Sequence, residues 1–338
     1  PNLADWPETM VRGLRRLHRF EKRILEVARL KEDLVQIEQY GFSRKADNGF
    51  RFPIYALRIG KPAALKKRPV GIVAGVHGLE TIGVRILLDF LQHCLSNPDF
   101  FPELHNGKVG IHAIPMVNPG GIALRRRSNP AGVDLMRNSG VEAVRSMPFF
   151  GGHRLSKHLP YYRGNTLEPE SRALYRFIFQ SFFATKSQLM PVVDVHSGFG
   201  SVDHVWWPYA STKEPCRDTP LFESIGRFLK IQAGHSKLNF GPQSESYTTH
   251  GDLWDLYYDH YWKYHESDKN WKGRFLPLTL EVGTWSDLRE SPTRMLNRKN
   301  IFNPDAERKQ QTIQRYRKFL RDLFRVSQTS EKDWLNQK

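Results

Sequence analysis

Cysteine is nearly absent from this 338-residue chain, with Cys94 and Cys216 standing far apart. Two such thiols exclude a disulfide framework, and thiolate metal clusters need closely spaced sets. Long apolar runs are missing as well. No stretch reaches the ~18–20 consecutive apolar residues that a membrane-spanning helix requires, and the most apolar helical stretch, Ile86–Leu95, carries Asp89 and His93. Internal repeats and low-complexity segments are lacking. Acidic residues are in deficit: 35 Asp and Glu face 51 Lys and Arg, a net charge of +16. The excess is spread along the chain and contains no nucleic-acid module, so nucleic acid is not an expected partner. Such a balance suits a substrate carrying carboxylates, or else a solvated basic surface. The N-terminus lacks a signal-peptide pattern, because Arg12, Arg15, Arg16, Arg19, Lys22 and Arg23 interrupt every apolar run. A cytoplasmic protein is therefore expected, with a periplasmic or secreted mature form as the alternative.

What is present reads as an ordinary globular chain. Val11, Leu14, Leu17, Phe20, Ile24 and Leu25 recur at helical spacing in the first thirty residues. Phe52–Ile59 reads as a strand, followed by turn and loop over Gly60–Lys67. Val70–Val76 is a short β-branched run suited to burial on both faces, and a helical pattern follows over Ile82–Leu95. Val109–Met116 is a second such strand and ends in the turn signal Asn118-Pro119-Gly120-Gly121. A loop rich in Gly, Pro and Arg then runs to about Asn165. Glu168–Phe183 reads as a helix with Pro169 in its first turn, and Pro191–Val195 as a strand ending at His196. Beyond lie a strand at Val205–Pro208, helices near Leu221–Leu229 and Gly251–Tyr258, a strand at Pro277–Val282, and a basic amphipathic helix over Ala306–Val326. Alternating buried strands and helices predict a three-layer α/β/α sandwich with a mixed, largely parallel central sheet. Sites in such sheets gather at the carboxyl ends of strands.

His77 and Glu80 sit at one such end. They are three residues apart after a buried strand, with Gly75 and Gly78 allowing a sharp turn, and an i, i+3 pair in a first helical turn can face one ion. Imidazole nitrogen and carboxylate oxygen suit zinc, and a third protein ligand leaves the fourth position for water. His196, at the end of another buried strand, supplies that third ligand. Asp194 is read as facing the other side of the strand and is set aside. One zinc ion per chain is expected. An HxxE spacing alone reads equally well as a surface His and Glu at a helix start, so the order of the further blocks decides.

Those blocks run in sequence as His77-Gly78-Leu79-Glu80, Asn118-Pro119-Gly120-Gly121, Arg127 with Gly132-Val133-Asp134-Leu135-Met136-Arg137-Asn138, and Glu168-Pro169-Glu170-Ser171-Arg172-Ala173-Leu174. His196-Ser197-Gly198, Trp207-Pro208-Tyr209, Tyr247 with Gly251-Asp252-Leu253, and Thr279-Leu280-Glu281-Val282-Gly283 follow. From Tyr55 to Asp287 this succession resembles the zinc metallocarboxypeptidase superfamily, with its funnelin-like, carboxypeptidase A-type fold, as a divergent bacterial-type member. The resemblance implies that Glu281 is the general base, Arg127 the oxyanion donor, Arg137 the clamp for a substrate carboxylate and Tyr247 a mobile tyrosine over the substrate. Arg125 and Arg126 adjoin Arg127 and leave its assignment open by a position or two.

Two departures bear on specificity. Leu79 stands where the family often has Arg, and Met136 where its GVDLNRN block has the Asn that shares the substrate carboxylate. The expected function is thus a metallocarboxypeptidase acting on a C-terminal peptide bond, with an acidic or cell-wall peptide as substrate. The alternatives are a zinc amidohydrolase taking N-acyl amino acids and a catalytically silent relative that binds polyanions. In domain terms, 1–40 is expected to be an N-terminal helical extension, 41–305 the catalytic domain, and 306–338 a C-terminal helix and tail packed on it.

Overall fold

β3 (Pro69–Ala74) and β5 (Leu189–Ser197) are buried at every position, the pattern of strands covered on both faces. They are central in one eight-stranded sheet of order β1-β2-β4-β3-β5-β8-β6-β7. The other strands are β1 (Val35–Phe42), β2 (Pro53–Ile59), β4 (Gly110–Ile114), β6 (His204–Trp207), β7 (Asn239–Pro242) and β8 (Arg274–Val282). The pairings β4–β3, β3–β5 and β5–β8 are parallel, whereas β1–β2, β2–β4 and β6–β8 are antiparallel. The fold is therefore α/β with a mixed, largely parallel sheet. This computed structural model describes residues 8–47, 49–285 and 301–335. The first residues of the expected N-terminal extension, the last of the C-terminal tail, and 286–300 (including Asp287, the last residue of the resemblance read from the sequence) lie outside the described residues.

The described α-helices are α1 (Glu8–Leu30), α2 (Pro62–Lys67), α3 (Thr81–Ser96), α4 (Pro102–His105), α5 (Pro119–Leu124), α6 (Pro169–Ile178), α7 (Thr219–Ile231), α8 (Gln243–Ser246), α9 (Leu253–Tyr264), α10 (Ala306–Arg325) and α11 (Glu331–Leu335). α3 packs on β3 and β5, and both α1 and α10 pack on α3. Leu17, Phe20 and Ile24 of α1 join the same core as Leu87, Leu91 and Phe324. Burial of side chains this size contributes roughly 1.5–3 kcal/mol each. Both cysteines are free and buried. None of the described helices is long and apolar enough to cross a membrane.

The structure corrects several local readings. Gly60–Lys67 is not all loop: Pro62 starts the short helix α2, its missing N–H costing nothing at a first helical position. The Asn118-Pro119-Gly120-Gly121 turn opens α5, with the Asn118 side chain accepting from the Gly121 amide at 2.8 Å. The helix expected over Glu168–Phe183 is α-helical only to Ile178 and finishes in a wider π turn, Phe179–Phe183. β1 and β7 went unread because their exposed positions break the apolar pattern.

Candidate metal centre and substrate cavity

The turn between β3 and α3 positions the first two candidate ligands. Gly75 takes φ +65 directly after β3, a conformation that glycine adopts without strain. Gly78 lies so close to α5 that a Cβ there would stand 2.1 Å from the Gly121 carbonyl carbon. Asn118 Nδ2 donates to the Val76 carbonyl at 3.1 Å, and Asn303 Nδ2 to that of Leu79 at 2.8 Å. The turn is thus held from two sides. His77 and Glu80 are not on a helical face, as their spacing had suggested. His77 precedes the helix, and Glu80 is the cap residue of α3 with a side chain that makes no capping bond.

His196 comes from the carboxyl end of β5, in register with Glu281 of β8. Nitrogen or oxygen atoms of His77, Glu80 and His196 all lie within 4.8 Å of one another, and the three residues are 3%, 3% and 4% exposed. His77 Nδ1 is 2.8 Å from Glu80 Oε1, and His196 Nδ1 is 3.0 Å from Glu80 Oε2. Their far nitrogens face other carboxylates: His77 Nε2 meets Asp134 Oδ1 at 2.9 Å, and His196 Nε2 meets Asp194 Oδ2 at 2.7 Å.

This donor set fits zinc. A carboxylate only accepts, so each Nε2 carries a hydrogen, and the Nδ1 atoms converge on Glu80. Without an ion, hydrogen bonds there would require protons on Nδ1 too, placing two buried imidazolium charges on one carboxylate. A divalent cation among the three groups removes that demand, and the flanking carboxylates then orient the rings as outer-shell acceptors do. In the protein alone the electrostatics show the strain. Burial would raise the Glu80 carboxyl, but His77 and His196 hold it below its usual range. Burial would lower His196, but Asp194 and Glu80 raise it well above an ordinary histidine.

Asp194 therefore does not face the other side of β5. Residues i and i+2 of a strand share a face, so its pairing with His196 was legible from spacing. Asp134 lay within a block quoted above but had no assigned role. It also binds Arg127, whose Nε is 2.8 Å from Asp134 Oδ2 and whose Nη1 is 3.0 Å from Glu80 Oε1. The loop carrying Arg127 is anchored farther along. Asn129 Nδ2 donates to Glu168 Oε2 at 2.9 Å and Glu170 Oε2 at 3.2 Å, and Asn138 Oδ1 accepts from the Glu168 amide at 2.7 Å.

These groups open onto a cavity of about 300 Å³, which Arg127, Arg137, Tyr247 and Glu281 also line. The structure thus brings together all seven residues singled out from the sequence. Arg137 is 4% exposed. Its Nε donates to the Phe150 carbonyl and its Nη1 to that of Met136, each at 3.1 Å. Among the described residues no carboxylate forms an ion pair with it. Glu281 Oε1 accepts from the Phe199 amide at 2.9 Å. Burial, and then nearby Glu80, push the Glu281 carboxyl up to about 8. Burial pushes the Tyr247 hydroxyl up to about 12 against the pull of Arg137. Asp252, quoted within a block above but given no role there, lines the same cavity. Its Oδ1 caps α9 through the Trp254 and Asp255 amides, while its Oδ2 is buried without a hydrogen bond.

A family model described as zinc carboxypeptidase matches residues 24–315. Carboxypeptidase SOL1 of Arabidopsis thaliana is 25% identical over 273 residues, 77% of this chain and 49% of that protein, so the chain spans about half that relative's length. Among solved structures, bovine thrombin-activatable fibrinolysis inhibitor in complex with tick carboxypeptidase inhibitor superposes with a TM-score of 0.67 at 18% identity, covering 92% of this chain and 96% of that one. Carboxypeptidase A from Helicoverpa armigera gives 0.65 at 19% identity, covering 90% and 71%. These two likenesses establish the fold.

Proposed function

The chain belongs to the zinc carboxypeptidase family, and we propose that it hydrolyses the C-terminal peptide bond of a substrate whose free carboxylate is held by Arg137. The observation that carries this reading is Arg137 itself, a buried guanidinium that pairs with no carboxylate among the described residues, in the cavity that holds His77, Glu80 and His196. A buried cation of this kind is costly until an anion meets it, and a guanidinium fork matches a carboxylate.

His77, Glu80 and His196 would hold one zinc ion, which when bound polarises the scissile carbonyl and acidifies water. Glu281 takes a proton from the attacking water on Oε2, since Oε1 is engaged by the Phe199 amide, and passes it to the amine that leaves as the peptide C–N bond breaks. A carboxyl whose hold on a proton is strengthened by burial suits the delivery to the leaving amine. Arg127, tied to Asp134 and Glu80 through Nε and Nη1, aims Nη2 at the developing oxyanion, a contact worth ~3–4 kcal/mol for a well-placed donor. Tyr247 covers the substrate beside Arg137.

On side-chain preference two readings stand. The overall +16 charge favours an acidic substrate, such as an acidic or cell-wall peptide. The bare Oδ2 of Asp252 favours a substrate with a basic or amide-bearing terminal residue. The test is amino-acid release from peptides ending in Glu, Leu and Lys, with amidated peptides and N-acyl amino acids alongside. Release from free C-termini, abolished by amidation and reduced in Arg137→Ala mainly through KM, is expected. Equal cleavage of amidated peptides would remove the carboxylate clamp. Cleavage of N-acyl amino acids alone would make the protein an amidohydrolase, and inactivity on all of them with zinc bound would favour the silent polyanion-binding reading.

A further inference from the structure

Five arginines meet where α1 packs against α3 and α5. Arg16, Arg19 and Arg23 recur at spacings of three and four and so share a face of α1. Arg85 projects from the second turn of α3 towards them, its guanidinium carbon 5.3 Å from the centre of the Phe20 ring. Arg125 ends α5 in the left-handed conformation, with φ 55. A Cβ on Gly13 would meet Arg125 Cγ at 3.1 Å, so the Arg125 stem lies on α1 one turn before Arg16. Burial, and then Arg125, Arg85 and Arg19, lower the Arg16 guanidinium below the usual arginine range; burial, Arg23 and Arg19 do the same to Arg85.

Several other partly shielded arginines of this chain have acidic partners: Arg163 has Glu142, Arg317 has Asp89 and Arg325 has Glu103. Among the described residues, no carboxylate forms an ion pair with any of these five. Arg125 Nε is buried without a hydrogen-bond partner. None of the five lines the cavity of the metal centre. Concentrating like charges while partly removing them from water destabilises the fold, and an anion at the junction reverses that penalty. Planar guanidinium forks match the oxygens of phosphate, and five of them exceed the ~1.5–2 negative charges of a single phosphate group.

We propose that the junction of α1, α3 and α5 is a binding site for a compact ligand carrying two or more phosphate groups, gripped by Arg16, Arg85 and Arg125 with Arg19 and Arg23 at the rim. Compactness follows from partial enclosure. Four of the cations, all but Arg19, are partly buried among packed helices rather than strung along an open surface, as a long polyanion would need.

The experiment is titration calorimetry of the full chain, zinc-loaded, with inorganic tripolyphosphate. Sulfate at matched ionic strength and a short single-stranded oligonucleotide serve as comparisons. Saturable binding of one tripolyphosphate per chain is expected, at least ~10-fold weaker in the double variant Arg16→Gln, Arg85→Gln, which loses two charged donors. Exposed Arg227→Gln should bind as wild type does. Thermal melts without ligand separate a ligand site from a structural role: relief of repulsion should leave the double variant at least as stable as wild type, and tripolyphosphate should raise Tm only where Arg16 and Arg85 are present. Several results would overturn the proposal. They are absent binding, heat that survives in the double variant (as chelation of the metal would), equal binding of sulfate, tighter binding of the oligonucleotide, or a double variant that melts well below wild type.

Discussion

His196 turns Nε2 to Asp194, 2.7 Å away on the same face of β5, and Nδ1 to Glu80 at 3.0 Å. Asp194 Oδ2 also accepts from Trp254 Nε1 at 2.9 Å, so the carboxylate is itself held in place by α9. Such an acceptor fixes the tautomer and the angle of a metal-binding ring. Asp194→Ala should weaken zinc binding ~10–100-fold, and Asp194→Asn, which keeps an acceptor, should weaken it less. Chelator competition reads both affinities; unchanged binding in the alanine variant would exclude this role for Asp194.

Glu281 touches none of the three candidate ligands by a hydrogen bond, and its Oε1 is engaged by the Phe199 amide. Glu281→Gln should therefore retain zinc while kcat falls by a factor on the order of 10²–10⁴, the usual contribution of a general base. Elemental analysis and steady-state kinetics on the same preparation give both readings. A near-normal kcat would move proton transfer to another group.

Gly78 offers a test of how the metal turn is held. A Cβ there would stand 2.1 Å from the Gly121 carbonyl carbon, backbone against backbone. Gly78→Ala should lose at least ~1–3 kcal/mol of stability, as overpacked sites do, and lose zinc with it, because His77 and Glu80 flank the position. Gly140, where an added Cβ meets nothing within 4 Å, is the control and should tolerate alanine. A well-folded, zinc-replete Gly78→Ala variant would show that the two turns can separate without cost.

Glu170 makes stability depend on pH. It is fully buried between the Arg44 amide, 2.7 Å from Oε1, and Asn129 Nδ2, 3.2 Å from Oε2. Burial, with a smaller push from Glu168, raises its carboxyl from 4.5 to about 7. Across that interval the folded chain holds a proton which the unfolded chain has released, so stability falls as pH rises from about 4.5 to about 7. The loss is on the order of 3 kcal/mol. Glu170→Gln should remove this part of the slope, measured by denaturant melts at about pH 5 and about pH 8. Equal losses in the two proteins would exclude Glu170 as the titrating group.

Much of this protein was decided locally. The apolar runs of β3, β5 and β8 had to become buried strands, and the fold places His77, Glu80, His196 and Glu281 at or just beyond their carboxyl ends. Residue type, spacing and the order of the blocks that carry the family resemblance are properties of the chain alone, so the candidate metal centre was legible before any fold. The pairing of Asp194 with His196 was equally local, since residues i and i+2 of a strand share a face.

Tertiary structure decided the rest, because it depends on which distant segments touch. The acceptor for His77 is Asp134, 57 residues away, where it caps the short 3-10 turn Leu135–Arg137. That Arg127 is tied to Glu80 and Asp134, whereas Arg137 pairs with no carboxylate among the described residues, follows from how the loop that carries them docks against α6 and the β3–α3 turn. The arginines of α1 read only as a basic helix face. Their meeting with Arg85 and Arg125 required α1 to cross both α3 and α5, and only packing sets that crossing.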